Sequence, residues 1–196
     1  MQYLISISCI ISLLFPASLA AEEFDVFTSR GKPGRGLLEL LGDPKSNEWA
    51  RPISDHQSSP AFNVQSMKTA DGERGRTIIM TGDNCGNGQC LAMYYIKSAR
   101  GNVDLSSYRE LSFDIEIIDT PKSPLLLRVG SWPSRIEVDV TPMLPYSGQG
   151  WKTIRYSMNV LLNNTHDNFD IGVVPDVFAL SSAQAASFNI KNIRWQ

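Results

Sequence analysis

Between Arg109 and Ile118 the chain reads RELSFDIEII, and its apolar positions alternate. Leu111, Phe113, Ile115 and Ile117 share one parity; Ser112, Asp114 and Glu116 share the other. SRIEVDVT repeats the pattern, with Ile136, Val138 and Val140 set against Glu137 and Asp139. ASFNIKNIRW places Phe188 and Ile190 on one parity. Successive side chains leave a pleated strand on opposite sides, so a period of two predicts strands with one buried and one solvated face. Pro and Gly punctuate the gaps, in KPGRG, TPKSP, WPS, PYSGQG and VVPD. About nine or ten strand-like runs are separated in this way. Only SMNVLLNN and SSAQAA are candidates for helix, and both are short.

Many short strands and few helices predict an all-β domain, a two-layer sandwich of the jelly-roll kind. A parallel α/β fold is excluded, because no long amphipathic run exists to cover such a sheet. There is no internal repeat and no low-complexity linker. The most loop-like piece is GDPKSNEWARPISDHQSSP, residues 42–60, expected to run over one end of the sandwich.

The N-terminus departs from this pattern. Residues 1–21 contain no Asp, Glu, Lys or Arg, and an apolar run from Leu4 to Phe15 leads to Pro16 and the small residues Ser18 and Ala20. This predicts a secretory signal over residues 1–20, although its n-region lacks a basic side chain. The run is shorter than the roughly 20 residues a spanning helix needs. The expected location is therefore periplasmic or secreted, with no membrane insertion after cleavage. Residues 21–196 are of single-domain size.

Charge adds an exclusion. The chain carries 18 Lys and Arg against 20 Asp and Glu, a formal net charge of −2, and its basic residues are scattered. Nucleic acid is not an expected partner. His56 and His166 are the only histidines, leaving little material for a His-based metal site or triad.

Past the signal the cysteines are Cys85 and Cys90, in TGDNCGNGQCLAMYYIKS. Four residues separate them, whereas zinc and thioredoxin pairs are commonly spaced by two. In an oxidising compartment the pair reads first as a disulfide across a β-hairpin turn, with Gly and Asn supplying the tight bend. A redox pair, two free thiols or a metal site remain the alternatives.

Catalytic signatures are missing: there is no Gly-x-Ser-x-Gly, no Walker loop and no HExxH. A glycosidase needs two carboxylates across a cleft. Asp114 or Glu116 with Glu137 or Asp139 is such a pairing, but those residues equally fill the polar parity of half-solvated strands. Saccharide binding needs flat rings for stacking and planar polar groups around them. Trp132, on a Pro-bearing turn, and Trp49, in the long polar loop, are expected to be exposed. Trp151 shares a parity with Arg155, so Trp151, Arg155, Arg128, Asp114, Glu116, Glu137 and Asp139 are expected on one solvated sheet face. That array reads as a ligand platform or as ordinary cross-strand ion pairing. Trp195 is expected in the core or its rim. Tyr94 and Tyr95 must point to opposite faces, one to the core and one to the same platform, and Tyr94 is taken with the ligand-binding candidates. No cofactor is called for; a structural calcium would draw on Asp83, Asn84, Asp167 and Asp170, which have no recognised spacing.

The segments GNVDLSSYRELSFDIEI, SPLLLRV, IEVDVTPML, GQGWKTIRYSMNVL and VVPDVFALSSAQAASFNIKNIRW follow an order that resembles the ExoP-type galactose-binding-like domain. That domain occurs at the C-terminus of bacterial exported family-three β-glucosidases and glucan exohydrolases. The shared features are VDLS before LSFDI, DVT before a Pro/Gly turn, GW opening a strand, and a closing F-x-I-x-x-I-R strand. VFTSRGKPG resembles its entry strand. The resemblance implies a jelly roll beside carbohydrate chemistry and supplies no catalytic group. No hydrolase domain precedes it here, so the expectation is a non-catalytic module acting alone or with an exported carbohydrate-active partner. Two further functions stay open: an exported interaction module without sugar binding, and a glycoside hydrolase with a cryptic carboxylate pair.

Overall fold

The computed structural model describes residues 23–54, 56–81 and 91–196, with only the backbone of His56. The strands run β1 (Phe24–Thr28), β2 (Lys32–Pro33), β3 (Leu37–Asp43), β4 (Glu48–Pro52), β5 (His56–Ser59), β6 (Phe62–Lys68), β7 (Arg74–Met80) and β8 (Ala92–Ser98). They continue as β9 (Glu110–Asp119), β10 (Leu126–Gly130), β11 (Arg135–Asp139), β12 (Lys152–Ser157), β13 (Thr165–His166), β14 (Asp176–Ser182) and β15 (Ala186–Trp195). Among the described residues one α-helix, α1 (Met158–Leu162), falls within SMNVLLNN, and a single 3-10 turn spans Thr141–Met143.

The named strands pair antiparallel in two sheets. The first has the order β12-β9-β15-β7-β6-β5, with β1 on β15 and β2 on β1; the second has the order β13-β11-β10-β14-β8-β3-β4. The architecture is the expected jelly-roll sandwich. Its core lies between the sheets and takes the apolar parity of each alternating run: Phe113, Ile115 and Ile117 from β9, Ile136 from β11, Phe188 and Ile190 from β15. The Phe113 and Phe178 rings meet edge to face across the two layers, 5.3 Å apart, a contact worth about 1 kcal/mol beyond its buried area. Trp195 is fully buried, and its indole N–H donates to the Val177 carbonyl at 3.1 Å.

A polar cluster also crosses the interior. Arg76 of the first sheet donates to both carboxylate oxygens of Glu39 in the second, through Nε at 2.9 and 3.1 Å and Nη2 at 2.8 Å. The Tyr94 hydroxyl donates to Glu39 Oε1 at 2.9 Å. Burial first, then the Glu39 charge, pushes the Tyr94 hydroxyl well above its ordinary pKa.

Three local expectations fail. SSAQAA is not helical: Ser181 and Ser182 end β14, paired with Met93 and Ala92 of β8, and Ala186 opens β15. Residues 42–60 are not one long loop, because β4 forms an edge of the second sheet and β5 an edge of the first. Edge strands carry polar side chains on both parities, so the alternation that marks a strand is weak there. Finally, β7 and β8 do not form a hairpin: β7 pairs with β15 and β6, whereas β8 pairs with β14 and β3 in the other sheet. Met80 and Ala92 therefore belong to different layers. Cys85 and Cys90, with their expected disulfide, and the calcium candidates Asp83 and Asn84 lie outside the described residues.

Candidate functional site

The sheet registers place side chains in rows, and one row explains the outer face of the second sheet. Pro52 of β4 stands beside Leu40 of β3, Leu40 beside Tyr95 of β8, Tyr95 beside Ala179 of β14, Ala179 beside Arg128 of β10, and Arg128 beside Glu137 of β11. Leu40, Tyr95 and Ala179 form a cluster separate from the main core, with Met93 packed against it. Half of this face is therefore apolar, and the half over β10 and β11 is charged.

Two tryptophans frame it. Trp49 is 46% exposed on the edge strand β4. Its ring lies over Gly42, where a Cβ would sit 3.2 Å from the indole, so a glycine is what lets the ring approach the sheet. The Tyr95 hydroxyl donates to the Trp49 carbonyl, tying β8 to that edge. Burial, followed by the Asp176 charge, raises the Tyr95 hydroxyl to a pKa of about 12. Trp132 is 80% exposed on the turn between β10 and β11. The Arg135 guanidinium covers one face of its ring at 4.4 Å, leaving the rest to solvent. The two tryptophans are not neighbours at one end of the sandwich. Four strand steps separate β10 from β4, about 19 Å at the usual strand spacing.

Arg128 and Arg135 converge on one carboxylate. Arg128 Nη2 lies 2.8 Å and Arg135 Nε 3.0 Å from Glu137 Oε2. Burial works to raise the Glu137 carboxyl, but Arg128 and Arg135 overcome it and hold the carboxyl below its ordinary range. Burial lowers the Arg128 pKa, against the charge of Glu137. Arg135 also donates to the Pro133 carbonyl at 3.0 Å, which fixes the turn that presents Trp132. Beside it, Ser131 donates to Asp176 at 2.6 Å.

The residues expected on one face thus divide between two. Trp49, Trp132, Arg128, Glu137 and Asp139 belong to the second sheet. Trp151, Arg155, Asp114 and Glu116 belong to the first, on the far side of the sandwich, because β9 pairs with β12 and β15 and never with β11. Carboxylates on opposite outer faces do not bracket one glycosidic bond, which disposes of the pairing of Asp114 or Glu116 with Glu137 or Asp139. Arg155 is engaged by Glu110 at 2.7 Å, and Trp151 carries the Lys191 ammonium 4.6 Å from its ring centre. Tyr94 is not a surface residue: it is fully buried, and Tyr95 is the member of the pair that faces outward. Leu40, Ala179, Met93 and Arg135 were not singled out from the sequence. Among the described residues no group of three or more His, Cys, Asp or Glu is placed to hold a metal; Asp170 accepts from the Gly172 N–H at 2.8 Å.

No protein-family model matches the chain, and no curated protein matches it in sequence. Solved structures do match. The exo-1,3/1,4-β-glucanase ExoP from a Pseudoalteromonas species superposes with a TM-score of 0.65 and 13% identity, covering 95% of this chain and 22% of the glucanase, so this chain spans about a fifth of that enzyme. The extra C-terminal domain of ExoP gives a TM-score of 0.64 at 13% identity, covering 88% of this chain and 91% of that domain. The family 30 carbohydrate-binding module of the cellulosomal cellulase Cel9D-Cel44B of Clostridium thermocellum gives 0.61 at 12% identity, covering 89% and 97%. The chain has the fold shared by the ExoP extra C-terminal domain and this carbohydrate-binding module.

Proposed function

We propose that this protein is an exported, non-catalytic saccharide-binding module whose ligand lies on the outer face of the second sheet. The observation that carries this reading is the apolar row Leu40–Tyr95–Ala179 running into Arg128 and Glu137, with the exposed rings of Trp49 and Trp132 at its margins. A pyranose offers apolar C–H faces and a belt of hydroxyls. The exposed rings of Trp49 and Trp132 take the first, and fixed guanidinium and carboxylate groups take the second, above a closely packed floor in which Leu40, Tyr95 and Ala179 are themselves buried. The likeness to the glucanase domain and the carbohydrate-binding modules supports the same ligand class. Export rests on the residue 1–20 signal, and within this reading the protein works outside the cytoplasm, beside or in support of a carbohydrate-processing enzyme.

Affinity electrophoresis through gels containing β-1,3/1,4-glucan, other β-glucans and cell-wall polysaccharides tests the reading. Retardation by at least one polysaccharide is expected. Free migration through every gel, with a stable protein partner recovered from the native envelope, favours an interaction module that uses the same face.

A further inference from the structure

We propose that the opposite face of the sandwich carries a second saccharide site, built around Trp151, and that the protein is bivalent. The site is a groove of about 480 Å³ across the outer face of the first sheet, within the range of about 300–1,000 Å³ typical of small-ligand sites. One wall is the indole of Trp151 at the entry to β12. The other is the turn joining β6 to β7, with Met67, Lys68 and Asp71 on the groove. Glu116 of β9 and Lys191 of β15 form the floor.

The floor is held in place by its own contacts. Lys191 donates to Glu73, at the start of the returning strand, and sits over the Trp151 ring at 4.6 Å. Glu116 takes the Asn189 side-chain amide on Oε2 at 2.8 Å. Thr69 donates to the Glu73 carbonyl at 3.0 Å and closes the turn. An indole and a thioether on one groove suit the C–H faces of a sugar ring. Two carboxylates and two ammonium groups, on the floor and rim, suit hydroxyls that both donate and accept. The mixture of signs selects a neutral sugar over an anionic one.

The inference rests on the reading of the protein as a saccharide binder, but not on where the second-sheet ligand lies. The two sites lie on opposite outer faces of the sandwich, so one short oligosaccharide cannot occupy both. A bivalent module bridges two polysaccharide chains, or holds one long chain that folds around it, with a gain from effective concentration.

The four tryptophans report the two faces separately. The indole N–H signals of Trp49, Trp132 and Trp151 are followed by nuclear magnetic resonance in the mature chain, assigned by single Trp→Phe substitutions. Oligosaccharides of β-1,3/1,4-glucan, xylan and galactan are titrated in turn, and buried Trp195 is the internal control. A saturable shift of Trp151 is expected, and its Kd is expected to change by less than about twofold when Trp49 and Trp132 are both replaced by Ala. Movement of Trp49 and Trp132 with Trp151 unmoved overturns the second site and leaves the second-sheet reading intact. Movement of none, with every sugar, overturns both. Bridging is read as turbidity of the parent polysaccharide, which Trp151→Ala is expected to abolish while the second-sheet Kd is kept.

Discussion

The Arg135 guanidinium carbon stands 4.4 Å from the Trp132 ring centre, and the same guanidinium is hydrogen-bonded to Glu137 at 3.0 Å. One arginine thus couples the most exposed aromatic ring of the second sheet to the charged half of its outer face. Trp132→Ala removes a cation–π contact worth about 0.5–1 kcal/mol at an exposed site, so unfolding by urea should show only a small loss. Saccharide affinity should fall by roughly tenfold, the upper end of a single aromatic contact. Arg135→Lys keeps the charge but gives up the planar guanidinium that stacks and hydrogen-bonds at once. It should loosen the turn, and an intermediate affinity is expected by calorimetry.

Acid stability should report Glu137. Its carboxyl is held below its ordinary pKa in the folded state by Arg128 and Arg135. A depressed folded pKa gives stability that is present above the unfolded value, about 4.3, and lost as pH falls through the folded one. Glu137→Gln should therefore be less stable than the parent at pH 7, with the difference shrinking below about pH 4. Parallel thermal scans between neutral and acid pH would measure this, and a difference that grows on acidification contradicts the assignment.

The alkaline limb should report Tyr95. Its hydroxyl is raised to about 12, first by burial and then by the Asp176 charge. A raised folded pKa favours the protonated folded form, so stability present below about pH 10 is lost as pH rises toward the folded value. Spectrophotometric titration should show at least two phenols that stay neutral at pH 11, Tyr94 and Tyr95, and Tyr95→Phe should remove one of them. Ionisation of Tyr94 and Tyr95 near pH 10 in the folded protein contradicts this.

The pair Arg76 and Glu39 tests what holds the layers in register. Each charge is buried and stands in a different sheet. Removing one partner strands the other, at a cost of about 3–5 kcal/mol. Arg76→Ala or Glu39→Gln should lower Tm by roughly 10 °C. The double substitution Arg76→Met with Glu39→Leu should recover part of that loss, because apolar residues of similar volume leave no orphaned charge, while the Tyr94 hydroxyl loses its acceptor. A double variant less stable than both singles would show that the pair is not what couples the layers.

Much of the fold was legible in the sequence, and the reason is local. In β9, β11 and β15 the alternation of apolar and polar residues is a direct consequence of the pleat, and those strands lie where the pattern places them. What the pattern does not contain is which strands share a sheet. Asp114 and Glu137 look equivalent along the chain, yet β9 and β11 lie in different layers, so the expected single platform became two faces. The expected pairing of β7 with β8 failed for the same reason, since strand order is set by pairing over long separations.

One signal of the site was present and went unread. LLELLGD, AMYYIKS and the start of VFALSS are apolar on both parities, unlike RELSFDIEII. A strand apolar on both faces has no fully solvated side. These three runs are β3, β8 and β14, which are neighbours, and their second faces supply Leu40, Tyr95 and Ala179. Trp132 and Trp49 were recognisable from their turn and polar surroundings; Arg135 was not, because its role depends on a ring three residues earlier folding back over it.

A ligand lying across the second sheet between Trp49 and Trp132 must lose affinity when those rings are removed. Isothermal titration calorimetry reads this loss, using the polysaccharide that retards the parent protein and comparing the parent with the Trp49→Ala, Trp132→Ala and doubly substituted proteins. The expected result is a loss of roughly tenfold in affinity for each single change at that site and roughly a hundredfold for the pair, with Tm nearly unchanged. Parent-level affinity in the folded double variant would place the ligand elsewhere and overturn the assignment of this face.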